Sequence, residues 1–411
     1  MVQTITPYMY EFKANTKARW LGRSLLDVLS SEFKRRSQRY FELAILSGSV
    51  KINGQCVSPR HTLNQGDLIT HLTHRHEPPI PSGPIETVYE DEEIVVVNKP
   101  SGVPCHPNSS YNKNSVTEMV KEQKTLAFVS PVNRLDKQTS GVVMLAKTPE
   151  AAVKYHKKIT EGVVGKWYLA RVKGAFPEGV VSVVLPLAVS RENCITTIHK
   201  EHGKFQGRKS ATFFKALSRD ENGTTVLCRP VSGRTHQIRV HLQALGCSIA
   251  DDMVYGTGYG VDLFSAPNPE TPNPETPNPK TPNPSTDQLV EITEEVFDRH
   301  SRESGVSLTK EHALSLLSTD DCRTDVFVDD DNLLEEIAQR IPSTEQFVME
   351  TCIHCQHQKE LDVLPRFSSL YLHALQYEVE EKTFVTDFPH WATIENASLK
   401  AGLKMINQRI Q

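Results

Sequence analysis

The sequence predicts an α+β protein: a mixed, mostly antiparallel sheet with flanking helices, preceded by a small N-terminal α+β module. Three observations carry this. Short apolar runs such as "EIVVV" and "VVMLA" read as buried strands. Stretches with helical spacing alternate with them, as in "PEAAVKYHKKIT" and "QIRVHLQALG". Turn signals such as Asn53-Gly54, Pro100-Ser101-Gly102 and Ser140-Gly141 punctuate the pattern. At 411 residues, 38% hydrophobic and 23% charged, the chain has room for two or three domains.

The first domain is expected over residues 1–80. Leu21, Leu25, Val28 and Leu29 recur at helical spacing, and a second helix near Gln38–Leu46 stops at Gly48, a favourable C-terminal residue. "VKINGQCV" then reads as two short strands about an Asn-Gly turn, and Gly66-Asp67 leads into another strand. Lys34, Arg35, Arg36 and Arg39 cluster at the helix junction and are predicted to contact RNA, the alternative being a solvated helix face. "HEPPIPSGP" follows as a proline-rich linker.

Residues 81–256 are expected to form the principal domain. A strand at "EIVVVNK" precedes a Pro-Ser-Gly turn, residues 150–161 read as a helix, and "GKWYLARVKG" and "GTTVLCRPVSG" as strands. Ile238, Leu242 and Leu245 follow helical spacing up to Gly246, so a helix is expected from about Thr235. In "PVNRLDKQTSGVVMLAK", Asp136 lies between Arg134 and Lys137 on a loop feeding a buried strand. Cations close in space would hold such a carboxylate ionised, as a nucleophile requires, but a surface ion pair reads the same way.

Residues 257–350 break the register. "PNPETPNPETPNPKTPNPST" repeats a five-residue unit too polar and proline-rich to pack, and an acidic stretch follows. This segment is predicted to be a largely disordered insertion, with residues 351–411 returning to the principal domain and ending in a tail. Charge follows the same boundaries. Residues 1–256 carry 34 Lys+Arg against 23 Asp+Glu, whereas residues 257–350 carry 6 against 20. A basic surplus of this extent suggests a polyanionic partner. No apolar run is long enough for a membrane helix. The start resembles neither a signal nor a transit peptide, and the scattered cysteines suggest a reducing compartment, so a cytoplasmic or nuclear location is expected.

Taken in order, "VVNKPSGVPCHP", "NRLDKQTSGVVMLAK", "GKWYLARVKG" and "PVSGRTHQIRVHLQALGCSIADDMVYG" closely resemble the RluA-type pseudouridine synthases. "EFKANTKARWLGRSLLDVLSSEF", "THLTHRHEPPIP" and "LYLHALQYEV…FPHWA" extend the resemblance to the eukaryotic branch, which includes plant RNA pseudouridine synthases and fungal tRNA enzymes of the anticodon loop. The resemblance implies the pseudouridine synthase fold and a ribosomal-protein-S4-like N-terminal module. It also implies isomerisation of uridine to pseudouridine in RNA without cofactor or metal. By the same resemblance Asp136 is the catalytic aspartate, Tyr168 the active-site tyrosine, and Arg239 the base paired with the aspartate. Arg134 fills the gap left by a flipped base, while Arg234, His236 and Gln237 shape the substrate pocket. The implied substrate is tRNA, at anticodon-loop position 32, and the protein is expected to act as a monomer. The family has His where this chain has Asn133, which leaves open a rival: an RNA-binding protein or RNA-folding chaperone that keeps the fold without turnover. "CIHCQH" offers Cys352, Cys355 and His357, but one Cys-x-x-Cys with no second pair nearby falls short of four ligands. No metal site is therefore predicted.

Overall fold

The computed structural model describes residues 2–34, 36–108, 110–190, 195–259, 289–315, 330–356 and 369–410, together with Leu263 and Leu317. The Pro-Asn repeat, Arg35 and His357 lie outside the described residues. The chain divides into two units. One comprises residues 3–79 and 323–366; the other comprises residues 1–2, 80–322 and 367–411.

The first unit opens with strand β1 (Tyr8–Asn15), helices α1 (Leu25–Glu32) and α2 (Gln38–Leu46), and strands β2 (Val50–Ile52) and β3 (Leu68–Arg75). Ser24 and Ser37 cap the two helices by accepting from Asp27 N and Tyr40 N. The strands pair antiparallel in the order β1-β3-β2. The Asn53-Gly54 turn is present, with φ of 51° and 79°, but the run after it does not become a strand. Only Gln55 bridges back to Ile52, and β2 pairs with β3 instead.

The second unit is built on one large sheet. Its strands are β4 (Glu86–Glu90), β5 (Ile94–Lys99), β6 (Ser140–Ala146), β7 (Gly165–Val172), β8 (Val180–Val184), β9 (Ala211–Asp220) and β10 (Gly223–Pro230). Helices α3 (Val116–Gln123), α4 (Pro149–Thr160) and α5 (Gln237–Ala244) lie between or after them. Strand β11 (Leu289–Thr293) and helix α6 (Glu294–Glu303) come next. Helices α7 (Asp331–Arg340) and α8 (Thr344–Glu350) then return to the first unit. Finally β12 (Leu372–Val379), β13 (Lys382–Val385) and α9 (Asn396–Ile410) rejoin the second.

The strand order is β11-β8-β9-β10-β7-β12-β6-β5-β4, with β13 alongside β12. Pairing is antiparallel except at β11-β8 and β12-β6. The mixed, mostly antiparallel sheet expected from the sequence is thus present. Strand β12, near the end of the chain, lies between β7 and β6 and so occupies the middle of the sheet.

The expectation of a largely disordered insertion needs correction over two stretches. Residues 289–303 add β11 to the edge of the sheet and bury Ile292 and Phe297. Residues 331–350 form α7 and α8, whose Leu334, Ile337, Phe347 and Val348 join the core made by Trp20, Leu25, Tyr40, Ile45 and their neighbours. The local signals were in the sequence: Asp330 caps α7, and Ser343 with Gln346 forms a capping box on α8. The apolar residues were too few to build a core of their own, but enough to complete one already begun by residues 20–69. Phe347 is fully buried, with its ring 5.5 Å from that of Tyr40. Phe347→Ala is therefore expected to destabilise this unit by about 3–5 kcal/mol in denaturant unfolding. A loss below about 1 kcal/mol would mean that α8 is not packed in the core.

The same segment changes the reading of the basic cluster. Arg39 is paired with Glu42 at 2.8 Å and with Glu335 of α7 at 3.2 Å. Arg36 stacks on the Tyr40 ring and donates to the Thr351 carbonyl at 2.7 Å. Two of the four predicted RNA contacts thus serve the fold of their own unit, while Lys34 is exposed.

Candidate active site

Asp136 sits on the loop that enters β6, and the sequence around it explains how the loop is held. Lys99, fully buried at the end of β5, donates to the carbonyls of Pro100, Val103 and Lys137 at 2.7–2.9 Å. Gly102 N also donates to the Lys137 carbonyl, and Leu135 N to the Cys105 sulfur. The Pro-Ser-Gly turn and the Asp136 loop therefore brace one another. Burial pushes the Lys99 pKa down to about 8, against the opposing influence of Cys105 and Asp136, so the ammonium persists at neutral pH. At the far end of the loop, Gly141 has a φ of 110° and lies against the Ala374 backbone of β12. A Cβ there would fall 2.2 Å from the Ala374 carbonyl oxygen, which only glycine avoids.

Arg239, on the first turns of α5, donates from Nη1 to Asp136 Oδ2 at 2.9 Å. Its Nε and Nη2 make a bidentate pair with Asp252, both at 2.8 Å. Asp252 has a fully buried side chain and also accepts from Val254 N and Tyr255 N. The guanidinium is thus fixed from behind and presents one remaining edge to Asp136. Burial works against ionisation of Asp136, but His236, Arg239 and Lys99 outweigh it and hold its pKa below the ordinary carboxylate value. Burial also depresses the pKa of His236, so at neutral pH the compensating charges are those of Arg239 and Lys99.

His236 precedes α5 in a left-handed conformation, φ 53°, and its Nε2 lies 3.7 Å from Asp136 Oδ2. Its Nδ1 shares a 2.8 Å hydrogen bond with the Tyr255 hydroxyl, which already accepts from Thr196 N. That hydroxyl proton is best directed at Nδ1, leaving the neutral imidazole's own proton on Nε2, towards Asp136.

Tyr168, on β7, is buried, and its hydroxyl bonds to that of Tyr377 on β12. Burial raises the pKa of Tyr168 well above 10, with Tyr377 and Asp136 adding to the effect, so the side chain is a phenol at neutral pH. Asn133 bonds to Met144 N at 2.7 Å and to the Val142 carbonyl at 3.3 Å. Asn133 thus ties the start of the Asp136 loop to β6.

These residues surround a cavity of about 780 Å3, within the usual size range of ligand pockets. Asp136, Tyr168 and Arg239 line it together with Arg134, Lys137, Lys166, Arg234, His236 and Tyr377. Asp136 is the sole acid among the described lining residues. One ionised carboxylate ringed by cations and a neutral phenol suits attack on an electrophilic carbon within a polyanionic substrate. Of the residues expected to bind substrate, Gln237 is committed elsewhere. Its amide bonds to Ser232, Arg234 N, the Ala211 carbonyl and Thr212, so it holds the loop before α5. Sequence reading passed over Lys99, Asp252, Tyr255 and Tyr377. All four lay inside motifs already singled out, but only the fold shows what they touch.

The family described as RNA pseudouridylate synthase matches residues 93–244, a span that holds Lys99, Asp136, Tyr168 and Arg239. The Saccharomyces cerevisiae protein named tRNA pseudouridine(32) synthase, mitochondrial, is 40% identical over 255 residues, covering 62% of this chain and 55% of that protein. The Mus musculus protein named pseudouridylate synthase RPUSD2 is 31% identical over 410 residues, covering 95% of this chain and 71% of that protein. A Saccharomyces cerevisiae protein named tRNA pseudouridine(31) synthase is 34% identical over 298 residues, covering 62% and 72%. With the motif set, the arrangement around Asp136 and these similarities in agreement, the chain belongs to the RNA pseudouridylate synthase family.

Proposed function

We propose that this chain isomerises uridine to pseudouridine in tRNA, with anticodon-loop position 32 as its target and Asp136 as the nucleophile. The observation that carries the reading is the Arg239–Asp136 pair at the floor of a cation-lined cavity. Asp136 attacks the ribose C1′ as the C1′–N1 bond breaks and uracil leaves as its anion. The uracil turns, its C5 displaces the carboxylate from C1′, and the proton lost from C5 balances the one gained at N1. Asp136 supplies the negative charge, and the target nucleotide leaves its stack to reach it. Arg134, exposed among the cavity-lining residues, fills the gap left by the flipped base in this reading. Tyr168 offers a ring to stack on uracil and a phenol for the late proton transfer. The choice of tRNA and of position 32 rests on the names of two relatives, one assigned to position 32 and one to position 31. We further propose that it acts as a monomer in the cytoplasm. One relative is named mitochondrial, and fractionation of the tagged protein decides the compartment.

The test is a single-turnover reaction on tRNA transcripts, with pseudouridine mapped by chemical labelling and primer extension. A new pseudouridine at position 32 is the expected result. Modification elsewhere in tRNA would correct the position. Binding without any isomerisation would instead establish the rival, an RNA-binding protein that keeps the fold.

A further inference from the structure

The expectation that no metal site exists rested on the want of a second ligand pair near Cys352-x-x-Cys355. The structure supplies one from more than 270 residues away. His74 and His76 are two residues apart at the end of β3, so their side chains emerge on the same side of the strand. Both belong to the unit that also contains residues 352 and 355. One ligand atom from each of His74, His76, Cys352 and Cys355 lies within 4.8 Å of all the others. His74 Nδ1 and His76 Nε2 are 3.2 Å apart, and each is 3.3 Å from Cys355 Sγ.

We propose that His74, His76, Cys352 and Cys355 form a structural zinc site that fastens the end of the inserted segment to β3. Metal–ligand lengths of about 2.0–2.1 Å to nitrogen and 2.3 Å to sulfur give a tetrahedron with N···N edges of about 3.3–3.4 Å and N···S edges of about 3.5–3.6 Å. The observed separations fall near those edges, closer than unliganded side chains need to approach. Cys352 Sγ also lies 3.8 Å from the His74 carbonyl oxygen, which keeps it beside the two imidazoles. The turn between the cysteines is closed by Cys355 N and Gln356 N, both donating to the Cys352 carbonyl, so the two sulfurs are presented together. Cys352 is buried and the other three are half-buried. Two neutral imidazoles and two thiolates make a site of zero net charge around Zn2+, and each thiol releases its proton to solvent on binding. All four positions being filled by protein, the site is closed and structural.

The consequence is mechanical. The segment that carries α7 and α8 has its far end anchored to the strand that organises the N-terminal module. Such a clamp confines a very long loop, the situation in which a cross-link removes the most entropy from the unfolded chain.

The full-length chain, purified under reducing conditions without a metal-affinity tag, should contain about one zinc per molecule by mass spectrometry. His76→Ala and Cys355→Ser should each lower that content at least about fivefold. Replacing zinc by Co2+ in the parent chain should give the intense visible bands of tetrahedral cobalt with a thiolate charge-transfer band. This readout does not depend on whether the variants fold. A folded, reduced parent chain that carries less than about a tenth of an equivalent of zinc and gives no tetrahedral cobalt spectrum overturns the proposal. So does a variant that keeps its full metal content. A Cys352–Cys355 disulfide in the chain as isolated under reducing conditions would also overturn it.

Discussion

Asp136→Asn is expected to fold, to bind RNA at least as tightly as the parent, and to form no detectable pseudouridine. Folding should survive because Arg239 keeps its bidentate pair with Asp252, so removing the Asp136 charge does not strand a buried cation. The asparagine carbonyl can still accept from Arg239 Nη1, and the Asp136 side chain is 30% exposed, which limits any desolvation cost. Binding should hold or improve because the sole acid among the described lining residues has gone. Chemistry should fail because an amide is a far weaker nucleophile than a carboxylate. A loss on the order of 10^4-fold or more is the scale seen when a nucleophile is removed.

Asp136→Glu should fail as well, since moving the carboxylate by about an ångström forfeits its alignment. The pH dependence follows from the same geometry. The folded-state pKa of Asp136 lies below that of a free aspartate. Its ionised form, and the stability it contributes, are therefore present above the unfolded pKa and lost only as pH falls through the lower folded value. The acid limb attributable to this group should fall below about pH 3.9. Single-turnover rates and filter binding on the same RNA read both effects. Turnover near the parent rate would reduce Asp136 to an ion-pair partner.

Gly141→Ala is expected to be among the most damaging single-methyl changes at the described glycines. The added Cβ would meet the Ala374 carbonyl oxygen at 2.2 Å, its nitrogen at 2.6 Å and its carbonyl carbon at 2.7 Å. All three atoms are backbone, so no side chain can swing aside. Only a separation of β6 from β12 relieves the clash, and His373–Ser140 and Ala374–Gly141 are the register pairs that join those strands. The φ of 110° adds strain for any residue with a Cβ. Overpacking and strain together should cost several kcal/mol, roughly 2–6. The expected result is a protein that is mostly insoluble, or one with a clearly lower melting temperature and a displaced Asp136 loop. A melting temperature and rate like the parent's would show that the two strands are not in register there.

The sequence was most legible where one local pattern sufficed. Strands at 94–99, 140–146, 165–172 and 223–230 are apolar runs between turn signals, and each is a strand in the fold. Asp136, Tyr168 and Arg239 stood in ordered motifs, and they line one cavity. What escaped was everything that depends on distant partners. Asp252 reads as one of two adjacent acids, and only packing shows that it grips Arg239 from behind. Lys99 reads as a strand-end cation, yet its ammonium is fully buried among carbonyls. Helix α7 showed a helical pattern but too few apolar residues for a core of its own, because most of that core is supplied by residues 20–69. The run after Asn53-Gly54 failed as a strand because β3 offered β2 a longer partner.

The position of β12 has a consequence for how the protein is made. Ser140 of β6 hydrogen-bonds to His373 of β12, 233 residues later. At about 5–20 residues per second, a ribosome needs roughly 10–45 s to add that length. For most of that interval, once residue 172 has been added, β6 and β7 have both been synthesised, yet the strand that belongs between them has not emerged. Each then presents unpaired backbone to solvent, the kind of edge that invites pairing with another nascent chain. The catalytic sheet is therefore closed last, from its middle, and a chaperone that shields β6 and β7 until residue 379 has cleared the exit tunnel would govern the yield of active enzyme.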